Sequence, residues 1–241
     1  MKRAEKRQRV SMRERQKTIG SQLSFEASEA YKRLRTNIQY TLPLNDEKRC
    51  RVIGITSALP GEGKSTTSVN LAFSLAEAGE QVLLIDADMR LPTLSYLLDI
   101  ECIPGLSDYL VTADQTLSIV KPTKQHQNLH IIPAGNLPPN PAELLGLDRM
   151  REMLDSMAKT YDYILIDLPP INVVTDAAVI SKYVDGVLMV VRQNYDKKHT
   201  LDEALRFLKY AEARIIGFVL NCSGKGERSS GKYEYRREYG G

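Results

Sequence analysis

The stretch "RVIGITSALPGEGKSTTSVNLA", residues 51–72, constrains the fold of this 241-residue chain more than any other. Residues 51–57 are largely apolar and β-branched, as a buried strand requires. From Lys64 the pattern is helical, and the short connection carries Gly61 and Gly63. A strand passing through a glycine loop into a helix N-terminus is the local plan of a phosphate-binding loop. Glycine lets the backbone wrap closely around phosphate oxygens. The loop N–H groups and the helix N-terminus then face negative charge. Lys64 supplies a mobile ammonium for the β- and γ-phosphates, and Ser65 a hydroxyl for Mg²⁺. Gly61, Glu62, Gly63, Lys64, Ser65 and Thr66 are therefore the expected nucleotide-binding residues. The strict GxxxxGK[ST] pattern asks for glycine at 58, where this chain has Ala58.

Further short apolar runs occur at 81–88, 129–135, 161–170, 185–193 and 213–221. They read as strands apolar on both faces, the pattern of a parallel sheet covered on both sides. Helical patterns lie between them at 63–79, 141–162, 175–184 and 196–213. Pro141 suits a first helical turn, and Gly79 a helix end. The alternation predicts one α/β domain: a single doubly wound, mostly parallel sheet with helices on both faces, spanning about 45–223. A helix is expected over 24–42, with Ala30, Leu34, Ile38 and Leu42 as its apolar stripe, packing on the sheet or on another subunit.

Two strands end in carboxylates. "VLLIDADMR" places Asp86 and Asp88 two apart, so they share a face. "YILIDLPP" places Asp167 at the end of another strand. Strand ends along one edge of a parallel sheet converge on the crevice where ligands bind. There these carboxylates would hold the magnesium shell and accept a proton from an incoming hydroxyl.

The net charge of +3 conceals an asymmetry: residues 1–17 hold eight Lys/Arg against Glu5 and Glu14, net +6, leaving −3 for the rest. A basic, apolar-poor arm over 1–23 is read as flexible, either solvated or attracted to an anionic surface. Cys50, Cys102 and Cys222 are far apart and form no CxxC pair, which fits a reducing cytoplasm. His126 and His130 fall on a loop entering a strand, where helical spacing does not apply, so no metal site is expected there. No signal peptide or membrane-spanning run is found. Residues 224–241 turn to Gly, Ser, charged residues and tyrosine, and are read as a flexible tail. The tail ends in "KYEYRREYGG", with Tyr233, Tyr235 and Tyr239 and no apolar run to pack them on.

Taken together, "ALPGEGKST", "LLIDADMRLP" and "ILIDLPP" resemble the Walker A, A′ and B motifs of bacterial tyrosine kinases, the kinases of capsular and exopolysaccharide synthesis. "PPNPAELL" (138–145), "EAYKRLRTN" (29–37) and the terminal tyrosines extend the likeness over about 24–241. The resemblance implies a P-loop fold of the MinD/ParA kind, with a kinase domain over 24–223. It implies a non-specific protein-tyrosine kinase using ATP and Mg²⁺, which autophosphorylates Tyr233, Tyr235 or Tyr239. Lys64 and Ser65 would bind phosphates and Mg²⁺; Asp86 would be base or orienter for the tyrosine hydroxyl. Asp88 and Asp167 would serve the magnesium shell. Arg90 would lie near the phosphates or at a subunit contact, and Asn221 would contact adenine. Glu29, Lys32 and Arg35 match the family's ring-forming E-x-x-R-x-x-R helix, with Lys32 for its first arginine and Arg33 adjacent. The implied setting is a homo-oligomeric ring at the inner face of the bacterial membrane, cytoplasmic, activated by a membrane-anchored protein of the polysaccharide co-polymerase type. No specific nucleic acid is implied.

Two other readings share the fold. A ParA/MinD partitioning ATPase begins its loop with a lysine where this chain has Leu59. A non-kinase, nucleotide-gated module of a polysaccharide export complex is the second.

Overall fold

Central strands buried at every position build the molecule. The computed structural model describes residues 18–44, 50–112, 118–195 and 198–222. The basic arm 1–17 and Tyr233, Tyr235 and Tyr239 lie outside them. In chain order the elements are α1 (Phe25–Thr41), β1 (Arg51–Ser57), α2 (Lys64–Glu77), β2 (Val82–Asp86), α3 (Leu94–Leu97) and α4 (Leu106–Val111). Then come β3 (Lys121–Pro122), β4 (Leu129–Ile132), α5 (Pro141–Leu145), α6 (Asp148–Met157), β5 (Tyr163–Asp167), α7 (Asp176–Ile180), β6 (Gly186–Arg192), α8 (Lys198–Tyr210) and β7 (Ile215–Asn221). The strands form one sheet in the order β3-β4-β2-β5-β1-β6-β7. All neighbours are parallel except β3 with β4.

Ile53 and Ile55 of β1, Val82 and Leu84 of β2, and Tyr163 and Leu165 of β5 point to one side, where Val69, Leu71 and Leu75 of α2 and Ile38 of α1 cover them. Val52, Leu83, Ile85, Ile164 and Ile166 point to the other, under α4 to α8. Each fully buried aliphatic side chain contributes about 1.5–3 kcal/mol against exposure. Two dry faces explain why these strands read as continuous apolar runs. Asp86 shares its side of β2 with Val82 and Leu84, and Asp167 its side of β5 with Tyr163 and Leu165. Both carboxylates therefore face α2.

Several expectations change. The stretch 141–162 is two helices: α5 ends at Gly146, and Leu147 is extended (ψ 146°) before α6 begins. Glycine is a poor helix residue, and the break lets each short helix turn its own apolar side to the sheet. Strand β7 is not covered on both faces. It lies at the sheet edge, with Phe218 53% and Leu220 57% exposed. Strand β3 and helices α3 and α4 are too short to give a periodic signal.

On α1, Ala30 is exposed, whereas Ala27, Tyr31 and Leu34 are half-buried and Ile38 and Leu42 are buried. A strict spacing of four drifts about 40° per step on a helix of 3.6 residues per turn, so a stripe started at Ala30 leaves the packed face. Residues before α1 also pack. Gly20 N–H donates to Asn70 Oδ1 (2.9 Å), and Asn70 Nδ2 donates to the Thr18 carbonyl (3.0 Å). The packed part thus begins ahead of residue 24. Ile38→Ala should cost about 2–4 kcal/mol of unfolding free energy, and Ala30→Ser about 0.5 or less, by urea titration. Equal losses would restore the stripe through Ala30.

Candidate active site

The loop between β1 and α2 takes its shape from two left-handed glycines, Gly61 (φ +85°) and Gly63 (φ +93°). At Gly63 a Cβ would fall 2.0 Å from Asn221 Nδ2, so no side chain fits there. Ala58 needs no such freedom: it is outside the left-handed region and fully buried, which is why alanine serves in place of the pattern's glycine. Gly63 gives α2 no side-chain cap, leaving the first-turn N–H groups oriented toward the mouth of the loop, as anion binding requires.

Lys64 folds over the strand ends. Its Nζ lies 2.8 Å from Asp88 Oδ2 and 3.4 Å from Asp167 Oδ2, and donates to Ser65 Oγ at 3.3 Å. Asp167 also accepts from Ser68 Oγ at 2.9 Å. Asp86 and Asp167 are opposite one another in the β2–β5 register. Burial lowers the Lys64 pKa, but the charges of Asp167 and Asp88 outweigh it and the net shift is upward. The Asp86 carboxyl is pushed up to about 8 by burial and by the charge of Asp167, against the pull of Lys64 and the Leu94 N–H. Burial likewise raises Asp167, opposed by Lys64, Ser65 and Ser68. Three carboxyl groups thus gather around one ammonium, and a divalent cation would supply further positive charge to such a cluster.

The donor set fits Mg²⁺: the Ser65 hydroxyl, Asp88 and Asp167 are hard oxygens. Among the described residues no group of three or more His, Cys, Asp or Glu has the form of an all-protein metal cage. Magnesium at phosphate sites characteristically takes only one or two carboxylates and completes its shell with water and phosphate. Beside the cluster opens a cleft of about 610 Å³, lined by Gly61, Gly63, Lys64, Asp88, Arg90 and Asn221 among others. That is within the range of small-molecule sites.

The remaining expected residues fall as follows. Thr66 lines the cleft. Glu62 does not line the cleft; its carboxylate is fully buried, accepting from Leu59 N–H (2.7 Å) and Arg192 N–H (3.2 Å). Asp86 does not line the cleft. Its Oδ2 accepts from Thr93 and Leu94 N–H (3.2 and 3.0 Å) and its Oδ1 from Asp88 N–H (3.3 Å). As found, it orients the turn that carries Asp88. Arg90 is held at the cleft by a two-pronged contact with buried Asp176 of α7, at 3.2 and 3.1 Å. Asn221 rests on the loop itself, donating to the Glu62 carbonyl at 2.8 Å. On α1, away from the cluster, Lys32 pairs with Glu29 at 2.9 Å. Arg35 bonds inward to Ser74 of α2, at 2.5 Å to its carbonyl.

Sequence reading missed Ser68, Arg192 and Tyr195. Ser68 is four residues after Lys64, hence on the same helical face. Arg192 ends β6 at the ligand-binding edge of the sheet, a position that itself points to a ligand.

An AAA domain family model matches residues 50–215. Tyrosine-protein kinase YwqD of Bacillus subtilis (strain 168) is 35% identical over 208 residues, 86% of this chain and 84% of that protein. The kinase domain of Escherichia coli tyrosine kinase ETK is 33% identical, with TM-score 0.75 over 81% of this chain and 75% of that one. The chain belongs to the bacterial tyrosine kinases. The septum site-determining protein MinD of Pyrococcus horikoshii OT3, complexed with Mg-ADP, shares the P-loop NTPase fold at 28% identity and TM-score 0.62, over 74% of this chain and 73% of that one. This kinase is thus a P-loop protein-tyrosine kinase.

The raised Asp86 pKa has a stability consequence. The folded state keeps the Asp86 proton up to about pH 8, while the unfolded chain loses it near 3.8. Stability is therefore lost progressively as pH rises through that window, by at most about 1.4 kcal/mol per pH unit. In EDTA, the stability difference between Asp86→Asn and wild type should move in favour of the variant between pH 5 and pH 8. A constant difference in urea titrations would show that Asp86 is ionised throughout.

Proposed function

We propose that this kinase transfers the γ-phosphoryl group of ATP to Tyr233, Tyr235 and Tyr239 of a second copy, and that this cycle regulates capsular or exopolysaccharide synthesis and export. The carrying observation is the Lys64–Asp88–Asp167 cluster, whose Lys64 and Asp88 line the cleft with Asp167 buried behind them, beside a loop whose glycines are shaped for phosphate. Lys64 would leave its carboxylates for the β- and γ-phosphates. Ser65, Asp88 and Asp167 would hold Mg²⁺, which supplies charge neutralisation when bound. The contacts of Asp86 support neither base nor orienter for the tyrosine hydroxyl, because both its oxygens are taken by backbone N–H groups; its role here is to hold the turn that carries Asp88. A loose phosphoryl-transfer transition state asks mainly for positioning and charge stabilisation.

The tail starts at the right place for a substrate. Cys222, the last described residue, lines the cleft. The eleven residues from there to Tyr233 span at most about 40 Å extended, enough to enter a neighbouring subunit's site. Homo-oligomerisation into a ring follows as the arrangement that presents tail to cleft. With Arg35 bound inward, a contact through α1 would rest on Glu29, Lys32 and Arg33. Each phosphate adds about −1.5 to −2 charges, and three on one tail would repel and release the ring. The net +6 arm would add attraction to an anionic inner leaflet, alongside a membrane-anchored activator of the co-polymerase type. No helix among the described residues is long and apolar enough to cross a membrane.

Purified chain incubated with ATP and Mg²⁺, with and without the activator's cytosolic tail, should gain phosphotyrosine at the three terminal positions by mass spectrometry. Lys64→Met should lower incorporation at least about a hundredfold. Phosphate release without phosphotyrosine under both conditions would favour an ATPase instead.

A further inference from the structure

Three consecutive carbonyls of the phosphate loop are each held by a side chain from outside it. The Tyr195 hydroxyl donates to the Pro60 carbonyl at 3.2 Å. Arg192 Nη1 donates to the Gly61 carbonyl at 3.3 Å. Asn221 Nδ2 donates to the Glu62 carbonyl at 2.8 Å. All three side chains come from one wall, formed by the end of β6, the turn after it and the end of β7.

The wall is itself braced. The Arg192 guanidinium lies over the Tyr195 ring, 5.0 Å from its centroid. Arg192 is fixed at its backbone, where its N–H donates to the buried Glu62 carboxylate. Asn221 has its amide orientation set by the Cys222 N–H, which donates to Oδ1 at 2.8 Å and leaves Nδ2 for the loop. Gly63 is required by the same contact, since a Cβ there would collide with that nitrogen.

In a planar trans peptide the carbonyl of one residue and the N–H of the next point in opposite directions. Holding carbonyls 60, 61 and 62 therefore fixes the N–H groups of Gly61, Glu62 and Gly63 away from those anchors. Successive N–H groups held in this way make an anion nest, and a nest set in advance avoids the ordering cost otherwise charged against binding.

We propose that Tyr195, Arg192 and Asn221 form a carbonyl clamp that preorganises the loop for a polyphosphate, a role separate from any contact with the base. They are positioning residues for the phosphate end of the nucleotide. The inference rests on the reading that the cleft takes ATP.

A ligand without a base separates the two roles. In the phosphotyrosine assay on the full chain, KM and kcat for ATP are measured together with the inhibition constant of magnesium tripolyphosphate. The variants are Tyr195→Phe, Arg192→Ala and Asn221→Ala. Tyr195→Phe removes one oxygen from a half-exposed ring and keeps the rest of the wall. The clamp predicts that ATP KM and tripolyphosphate inhibition constant rise in step, about threefold for Tyr195→Phe and about tenfold for the other two, with kcat little changed. A raised ATP KM with unchanged tripolyphosphate inhibition overturns it, because the residues would then contact base or ribose. No change in either constant also overturns it. Wild-type protein that responds to neither ATP nor tripolyphosphate would fail the reading of the cleft and the clamp with it.

Discussion

The Lys64 ammonium between Asp88 and Asp167 is the interaction on which the rest of the site depends. A buried cation is tolerated only when paired, and buried carboxylates only when something supplies positive charge. Here each makes the other possible. The arrangement needs a strand end from β2 and another from β5, side by side and facing the same helix. A parallel sheet delivers this naturally, because all its C-terminal strand ends lie along one edge. Burial raises Asp86 and Asp167, and repulsion between neighbouring carboxyl groups adds to it. The crowding of carboxyl groups prepares the site for a divalent cation and for Lys64 to exchange a carboxylate for a phosphate.

The sheet's two apolar faces set the rigidity of this arrangement. Val82 and Leu84 anchor the segment that ends at Asp86, and Tyr163 and Leu165 the segment that ends at Asp167. Helix α2 packs on that same side and brings Lys64, Ser65 and Ser68 to the carboxylates. The wall made by Arg192, Tyr195 and Asn221 closes the loop from its other flank. Chemistry by positioning requires such supports, since a misplaced phosphate is not corrected by a stronger base.

Local signals made much of this legible in the chain. The strand, two glycines, lysine and serine of the loop are contiguous, and each carboxylate ends an apolar run, so their meeting follows from topology alone. What escaped was long-range or short. The inward turn of Glu62 depends on Arg192, 130 residues away. The inward bond of Arg35 depends on Ser74 of α2. Strand β7 reads as a buried strand because its residues are apolar, and only the strand order leaves Phe218 and Leu220 exposed at an edge. Gly146 was visible in the sequence, yet the amphipathic pattern on both sides of it outweighed it. Ala30 is a matter of helical pitch, where a four-residue spacing drifts off the packed face.

The most direct test is a crystal structure of the full chain with Mg²⁺ and a non-hydrolysable ATP analogue. The account predicts the terminal phosphates within the 58–66 loop, Lys64 moved from Asp88 to a phosphate oxygen, and the metal shell turned toward Ser65, Asp88 and Asp167. A nucleotide bound elsewhere, or one bound while Lys64 remains paired with Asp88, would contradict it.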